Sequence, residues 1–476
     1  MIKLSTPSDL EVFFNPKTVA IIGASEKFRF GYGTTSYLMK SRFKTYAVNI
    51  KNEKIFGQIA YKNIKDIPDD IDLAIILIGN EYVLQSVKDC IEKGVKGIII
   101  ETAGFAETGN EKYTKIQQEI ENMAKNSKVR IIGPNCVGVN NFINQFTTAD
   151  MNFDQASKGN IAVIAQSGVL GNIFIDWATN QGIGFSKTIT IGNKVDVDEV
   201  DLLEYLNTDH ETKVISLYLE GTKRGKEFTN IISKMKKPVL ILKNGRSEIG
   251  SRAVNSHTGS IAGNDRIYDT LFRQYPSIFR VKDFYEMFNI AQVFATQPLP
   301  KGKNVAIITG SGSLGALACD EIEHHDLNLA DLDSITINNI KSVIPNWVSI
   351  RGTIDLGPSI FETFVPSVKA TFQDKNVDSI LYIFSVPRWP LQRLGSVALS
   401  FIKENFNLIK KLTDTYNKPC VCVCFGARWT FDLLKEAALN DNSILKVPLM
   451  TQIKHAIKAF KMMYQYGQYL KFKNKN

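Results

Sequence analysis

The sequence predicts an α/β protein built of three doubly wound domains. Apolar runs of strand length recur along all 476 residues, with helix-length segments between them. That alternation builds parallel sheets covered by helices on both faces. At about 150 residues per domain, the length suits three domains, each able to bury its own core. Composition agrees: 44% of the residues are hydrophobic and 22% charged, as in ordinary globular chains.

The elements follow in order. Near-continuous apolar strands are expected at Val19–Gly23, Tyr46–Ile50, Leu73–Gly79, Lys96–Glu101 and Val129–Gly133, closing a first domain near residues 140–150. A second series runs through Ile161–Ala165, Lys187–Ile191, Val214–Leu219 and Val239–Lys243. The Pro- and Gly-containing stretch Gln297–Gly302 reads as a linker. A third series comprises Val305–Thr309, Thr353–Leu356, Ile380–Val386, Val421–Phe425 and Leu445–Pro448, followed by a helical tail from Gln452. The domains are therefore expected at 1–150, 151–298 and 303–470.

Several classes of function are disfavoured. No apolar run approaches the ~18 residues of a membrane span, and residues 1–7 lack an apolar signal core. A cytoplasmic protein without membrane association is expected. The formal net charge of +9 is spread along the chain without a Lys/Arg block or a nucleic-acid-binding motif, so no nucleic-acid partner is expected. The six cysteines form no CxxC pair. Cys420, Cys422 and Cys424 alternate in a strand, about 7 Å apart on one face, too wide for two thiolates to share a zinc. They read as core residues, and no metal site is expected. His210, His324, His325 and His455 lie in polar patterns and read as solvated surface.

Three strand–turn–helix signals could hold a nucleotide. After the first strand, Gly23-Ala24-Ser25 lets backbone approach a phosphate ahead of a helix N-terminus. Lys51 stands near where an NAD site would carry a carboxylate. A cation there suits the phosphorylated ADP portion of coenzyme A, although a tight turn with a solvated lysine fits equally well. Ala165-Gln166-Ser167-Gly168 offers N–H groups and a hydroxyl at another helix tip, and fits a plain Ser N-cap as well. Gly310–Gly315 spells G-x-G-x-x-G after a strand, with Asp331 sixteen residues on. It keeps an NAD-dependent oxidoreductase in view, although such turns also serve close packing. No Walker A sequence occurs.

His257 differs from the other histidines. It sits among hydroxyls in a polar loop with glycines at 250, 259 and 263. Residues 238–263, PVLILKNGRSEIGSRAVNSHTGSIAG, resemble the phosphohistidine segment of the NDP-forming acyl-CoA synthetases, relatives of succinyl-CoA synthetase. The resemblance extends through Thr18–Ser25, Gly133-Pro134-Asn135-Cys136-Val137-Gly138, Gln166-Ser167-Gly168, Gly192–Asp198 and Leu217–Gly221. In the third domain it covers the loop at Gly310–Gly315, the Thr353–Leu356 strand and the tail from Val447 to Tyr466. That loop and the segment Asn346–Thr353 depart from the family's usual sequences, which leaves the third domain's role open.

The resemblance implies a Rossmann-like CoA-binding domain followed by two flavodoxin-like, succinyl-CoA synthetase-like domains. It implies that His257 accepts a phosphoryl group and that Glu220, 37 positions earlier, steadies it. Such a carboxylate fixes the imidazole tautomer and leaves the other nitrogen nucleophilic. It further implies that Ser167 and Gly168 hold phosphate, and that Gly23, Ser25, Lys51 and Asn135 surround CoA. Nothing in the sequence resembles an ATP-grasp domain. The expected protein is thus an α-type subunit in a hetero-oligomer, with Mg²⁺-bound ATP/ADP on an ATP-grasp β-type partner. Its substrates would be a small carboxylic acid, CoA and phosphate. A non-catalytic CoA-binding regulator is the alternative of a different class.

Overall fold

The computed structural model describes residues 7–149, 157–252, 265–345, 350–351, 353–357, 360–440 and 443–473. They form two compact units. One runs up to Asn180 and again over Phe185–Val281; the other comprises Gln181–Gly184 and the chain from Lys282 onward.

The first unit contains two sheets. In the first, β1 (Thr18–Ile22), α1 (Tyr32–Lys40), β2 (Lys44–Val48), β3 (Lys54–Ile55) and β4 (Gln58–Tyr61) are followed by β5 (Leu73–Ile76), α2 (Asn80–Lys93), β6 (Gly97–Ile100), α3 (Glu111–Asn126) and β7 (Arg130–Ile132). The strand order is β3-β4-β2-β1-β5-β6-β7, parallel except for the β3–β4 hairpin. Fully buried Ile and Val side chains on β1, β5 and β6 account for the continuous apolar runs, because helices cover both faces.

The second sheet takes β8 (Val139–Asn141), β9 (Phe146–Thr147), β10 (Lys158–Ala165), α4 (Gly168–Asn180), β11 (Phe185–Thr190), α5 (Glu199–Thr208), β12 (Val214–Leu219), α6 (Gly225–Lys234), β13 (Val239–Lys243), α7 (Asp265–Gln274) and β14 (Ile278–Arg280). Its order is β14-β13-β12-β10-β11-β8-β9. A strand-like ladder ties the two sheets together. The N–H groups of Asn193, Val195 and Val197 donate to the carbonyls of Pro134, Gly133 and Ile131 at 2.9, 3.1 and 3.0 Å. Arg130, buried on β7, pairs with Asp196 at 2.8 Å.

The second unit holds α8 (Phe284–Thr296), β15 (Asn304–Thr309), α9 (Gly312–His324), β16 (Asn328–Leu329), α10 (Ser334–Lys341), β17 (Ile350–Arg351), β18 (Thr353–Asp355), α11 (Ile360–Gln373) and β19 (Ser379–Phe384). It continues through α12 (Arg388–Leu394), α13 (Ser396–Tyr416), β20 (Cys420–Cys424), α14 (Arg428–Ala438), β21 (Leu449–Met450) and α15 (Ile453–Lys473). The order β17-β18-β15-β19-β20-β21, with β16 beside β15, is again that of a largely parallel sheet. Cys420, Cys422 and Cys424 are buried in its core, and burial raises each thiol's pKa above the usual value, that of Cys424 to about 12.

Two expectations need correction here. His455 is not solvated: it lies on α15 with 3% exposure, and its Nδ1 is 3.0 Å from the Asn289 amide. Burial pushes its pKa down. The last strand of the third series lies at Leu449–Met450 rather than Leu445–Pro448; Leu445 makes only an isolated bridge to Leu439. Among the described residues, no helix is long and apolar enough to cross a membrane.

Candidate active site

In an open parallel sheet, ligands bind beyond the carboxyl ends of the strands, where the strand order reverses. The order reverses between β1 and β5 in the first sheet and between β10 and β12 in the second. Both points open into one cleft of about 780 Å³, within the roughly 300–1,000 Å³ of ligand pockets. Lys51, Asn135, Ser167, Gly168 and Glu220, far apart in sequence, all line it. Gly23 and Lys51 line an adjoining hollow of about 330 Å³ together with Arg29 and Asn49.

On the first-sheet side, Gly23 has φ +93°, and an added Cβ would lie 2.5 Å from the Leu77 carbonyl oxygen. Glycine is therefore required for the β1 turn to pass so close to the end of β5. Asn49 holds the loop after β2. Its Nδ2 donates to the Ala24 carbonyl at 2.8 Å, and its Oδ1 accepts the N–H groups of Lys51 and Asn52 at 2.8 and 2.9 Å. Lys51 itself is exposed at the rim. Ser25 is buried, its hydroxyl accepting the Lys27 N–H at 3.1 Å, and it does not line the cleft described here.

Asn135 adopts a left-handed conformation at φ +60°, tolerated by Asn better than by most residues. Its N–H donates to Thr102 and its side-chain amide to Asn193 Oδ1 at 3.3 Å. Across the cleft, α4 begins at Gly168, where an added Cβ would meet Val137 Cγ2 at 2.6 Å. The absence of a side chain lets the helix tip approach the 133–138 loop. The N-terminus of α4, whose first N–H groups lack intrahelical partners and carry partial positive charge, thus borders the cleft.

Glu220 follows β12 immediately and is 6% exposed. Gln166 Oε1 accepts the backbone N–H groups of Glu220 and Gly221 at 3.0 and 3.3 Å, bridging the ends of β10 and β12. Tyr218 Oη lies 3.2 Å from Glu220 Oε1 and 2.6 Å from Asn244 Nδ2. Burial and the Glu220 carboxylate push the phenol well above its usual pKa, so it stays protonated. Lys194, also buried, reaches Glu199 at 3.1 Å and the Gly221 carbonyl at 2.7 Å, fixing the turn beyond Glu220. Sequence reasoning gave no role to Arg29, Asn49, Tyr218 or Asn244, although Tyr218 and Asn244 lie within segments that carry the family resemblance. His257 lies outside the described residues.

In the second unit, a Cβ on Gly312 would come within 3.0 Å of Asp355 Oδ2, and one on Gly315 within 3.1 Å of Thr353 Cγ2. Close packing of α9 on β18 thus accounts for the second and third glycines of the G-x-G-x-x-G pattern.

Comparison with known proteins adds a sequence relationship to this geometry. A family profile described as a CoA binding domain matches residues 17–141, and one described as a succinyl-CoA ligase like flavodoxin domain matches residues 158–294. The chain is 43% identical over 443 residues to the acetate–CoA ligase [ADP-forming] II subunit alpha of Pyrococcus furiosus, covering 91% of this chain and 93% of that protein. The chain belongs to the NDP-forming acyl-CoA synthetase family. Within that family it is 35% identical to the longer acetate–CoA ligase [ADP-forming] II of Archaeoglobus fulgidus, spanning 97% of this chain and 68% of that one. The crystallised dinucleotide forming acetyl-coenzyme A synthetase 1 of Ca. Korarchaeum cryptofilum, in complex with phosphate and ADP, superposes with a TM-score of 0.86 at 28% identity over 98% of both chains. The α/β fold expected from the sequence is the fold observed, and the likeness to that synthetase extends through the third sheet.

Proposed function

We propose that this chain is the α-type subunit of an ADP-forming acyl-CoA synthetase, interconverting acyl-CoA, ADP and phosphate with carboxylic acid, CoA and ATP. One observation carries the reading: two switch points share a cleft lined both by the helix tip at Ser167-Gly168 and by the buried Glu220 carboxylate. The extent of identity to the ADP-forming acetate–CoA ligase α subunit supports it.

CoA lies along the first-sheet side. Gly23 and Ser25 shape the close turn after β1, Lys51 offers a charge to its phosphates, and Asn135 borders the thioester end. Phosphate sits at the α4 tip, where Ser167 and the Gly168 N–H meet an anion. A phosphate oxygen attacks the thioester carbonyl, the C–S bond breaks, and CoA leaves as the thiolate, giving an acyl phosphate. His257 attacks the phosphorus; the P–O bond to the acyl group breaks and the carboxylate is released. Glu220 accepts the other ring N–H and stabilises the cation that forms. The phosphohistidine then passes its phosphoryl group to ADP on an ATP-grasp β-type subunit. Mg²⁺ bound there with the nucleotide would neutralise the phosphate charge.

The test is thiol release by the chain co-purified with its β-type partner, over a series of aliphatic and aromatic acyl-CoA thioesters. Release that needs both ADP and phosphate is expected with at least one of them. Tight CoA binding with no release from any thioester would leave the non-catalytic CoA-binding regulator as the better reading.

A further inference from the structure

Asn244 closes a short chain of side chains onto Glu220, and the chemistry of its members fixes the direction of each hydrogen bond. The ionised carboxylate that the proposed role of Glu220 calls for only accepts, so in the 3.2 Å contact between Tyr218 Oη and Glu220 Oε1 the phenol donates. Tyrosine has one hydrogen. The 2.6 Å contact to Asn244 must then run from the amide N–H to the phenol oxygen. Turning the amide over would set two acceptors against one hydrogen. Within these three side chains the hydrogen bonds then run from Asn244 to Tyr218 to Glu220.

The pattern is held by rigid elements. Tyr218 is on β12, paired in register with Leu242 of β13. The ladder continues past β13 through the Asn244 N–H, which donates to the Leu219 carbonyl at 3.0 Å. Both Tyr218 and Glu220 are buried, where a hydrogen bond to a charged group matters more than in water. Gln166 fixes the Glu220 backbone from the other side.

We infer that Tyr218 and Asn244 are positioning residues for the Glu220 carboxylate: Tyr218 donates to it, and Asn244, as a donor to Tyr218, does not compete for the phenol hydrogen. The inference rests on the proposed role of Glu220 beside the phosphorylated histidine.

The experiment measures the rate of phosphoenzyme formation by rapid quench, using the complex with the β-type partner and Mg-[γ-³²P]ATP. KM for CoA and thermal melting are recorded alongside. Tyr218→Phe keeps the ring and removes the donor; it should slow labelling roughly 10-fold or more, with KM for CoA and melting near wild type. Asn244→Asp replaces the donor with an acceptor that draws the phenol hydrogen away from Glu220. It should slow labelling more than Asn244→Ala, which leaves Tyr218 free to donate, and should add nothing in a Tyr218→Phe background. This Asp-against-Ala contrast keeps the test decisive even if Tyr218→Phe fails to fold. If Glu220→Gln slows labelling while Tyr218→Phe labels at the wild-type rate, the relay is overturned. If Asn244→Asp and Asn244→Ala behave alike, its direction is overturned. If Glu220→Gln itself labels at the wild-type rate, the role given to Glu220 fails first.

Discussion

At the scale of single residues, the proposed chemistry depends on the buried carboxylate of Glu220. Glu220→Gln should lower the phosphoenzyme yield at least 10-fold while CoA binding, followed by calorimetry, stays near wild type. Loss of CoA binding instead would give Glu220 a different role. Asp198 bears on stability instead. Burial, with the Glu199 and Asp201 carboxylates beside it, pushes its pKa up to about 7 despite the Arg224 ion pair at 3.1 Å. A carboxyl that holds its proton more tightly folded than unfolded favours folding at low pH, and that contribution is lost as the pH rises from about 4 to 7. Its side chain also caps α5 by accepting the Val200 N–H at 2.8 Å, which Asn can do equally well. Asp198→Asn should therefore flatten the fall in stability over that pH window, as measured by denaturant melts at pH 5 and pH 8. An unchanged pH dependence would remove Asp198 as its source. Glu220 was legible in the sequence because it ends an apolar strand within a family motif. Tyr218 lies in the same motif, but an aromatic residue in an apolar strand reads as core, and only the fold brings Asn244 to it.

At the scale of elements, the cleft depends on loops whose backbones nearly touch. Gly192 has φ +55°, and an added Cβ would lie 2.1 Å from the Pro134 carbonyl oxygen and 2.5 Å from that of Asn135. Gly192→Ala should cost about 1–3 kcal/mol from backbone strain alone and weaken CoA binding, because the clash displaces the loop that carries Asn135. Wild-type affinity and melting would mean that the two loops move independently. The long parallel strands were readable because burial on both faces leaves an unbroken apolar run. The short additions at Lys54–Ile55, Gln58–Tyr61 and Phe146–Thr147 were not, since two to four residues carry too little periodicity. The G-x-G-x-x-G pattern at Gly310 carried two meanings in sequence. The position of Thr353 and Asp355 against its glycines, a tertiary fact, favours packing.

At the scale of the whole molecule, the proposed chain receives a phosphoryl group on His257 and passes it to a nucleotide on a β-type partner. The identity of the acid and of the nucleotide has no readable motif here, because neither depends on a fixed spacing of residue types. The central claim is that His257 is phosphorylated. The most direct measurement is incubation of the chain, co-purified with its β-type partner, with Mg-[γ-³²P]ATP, followed by parallel acid and alkaline quenching. The account predicts a label on this chain that is lost in acid, survives alkali, and is absent from His257→Ala. A label that His257→Ala retains, or no label although the complex binds ATP, would contradict it.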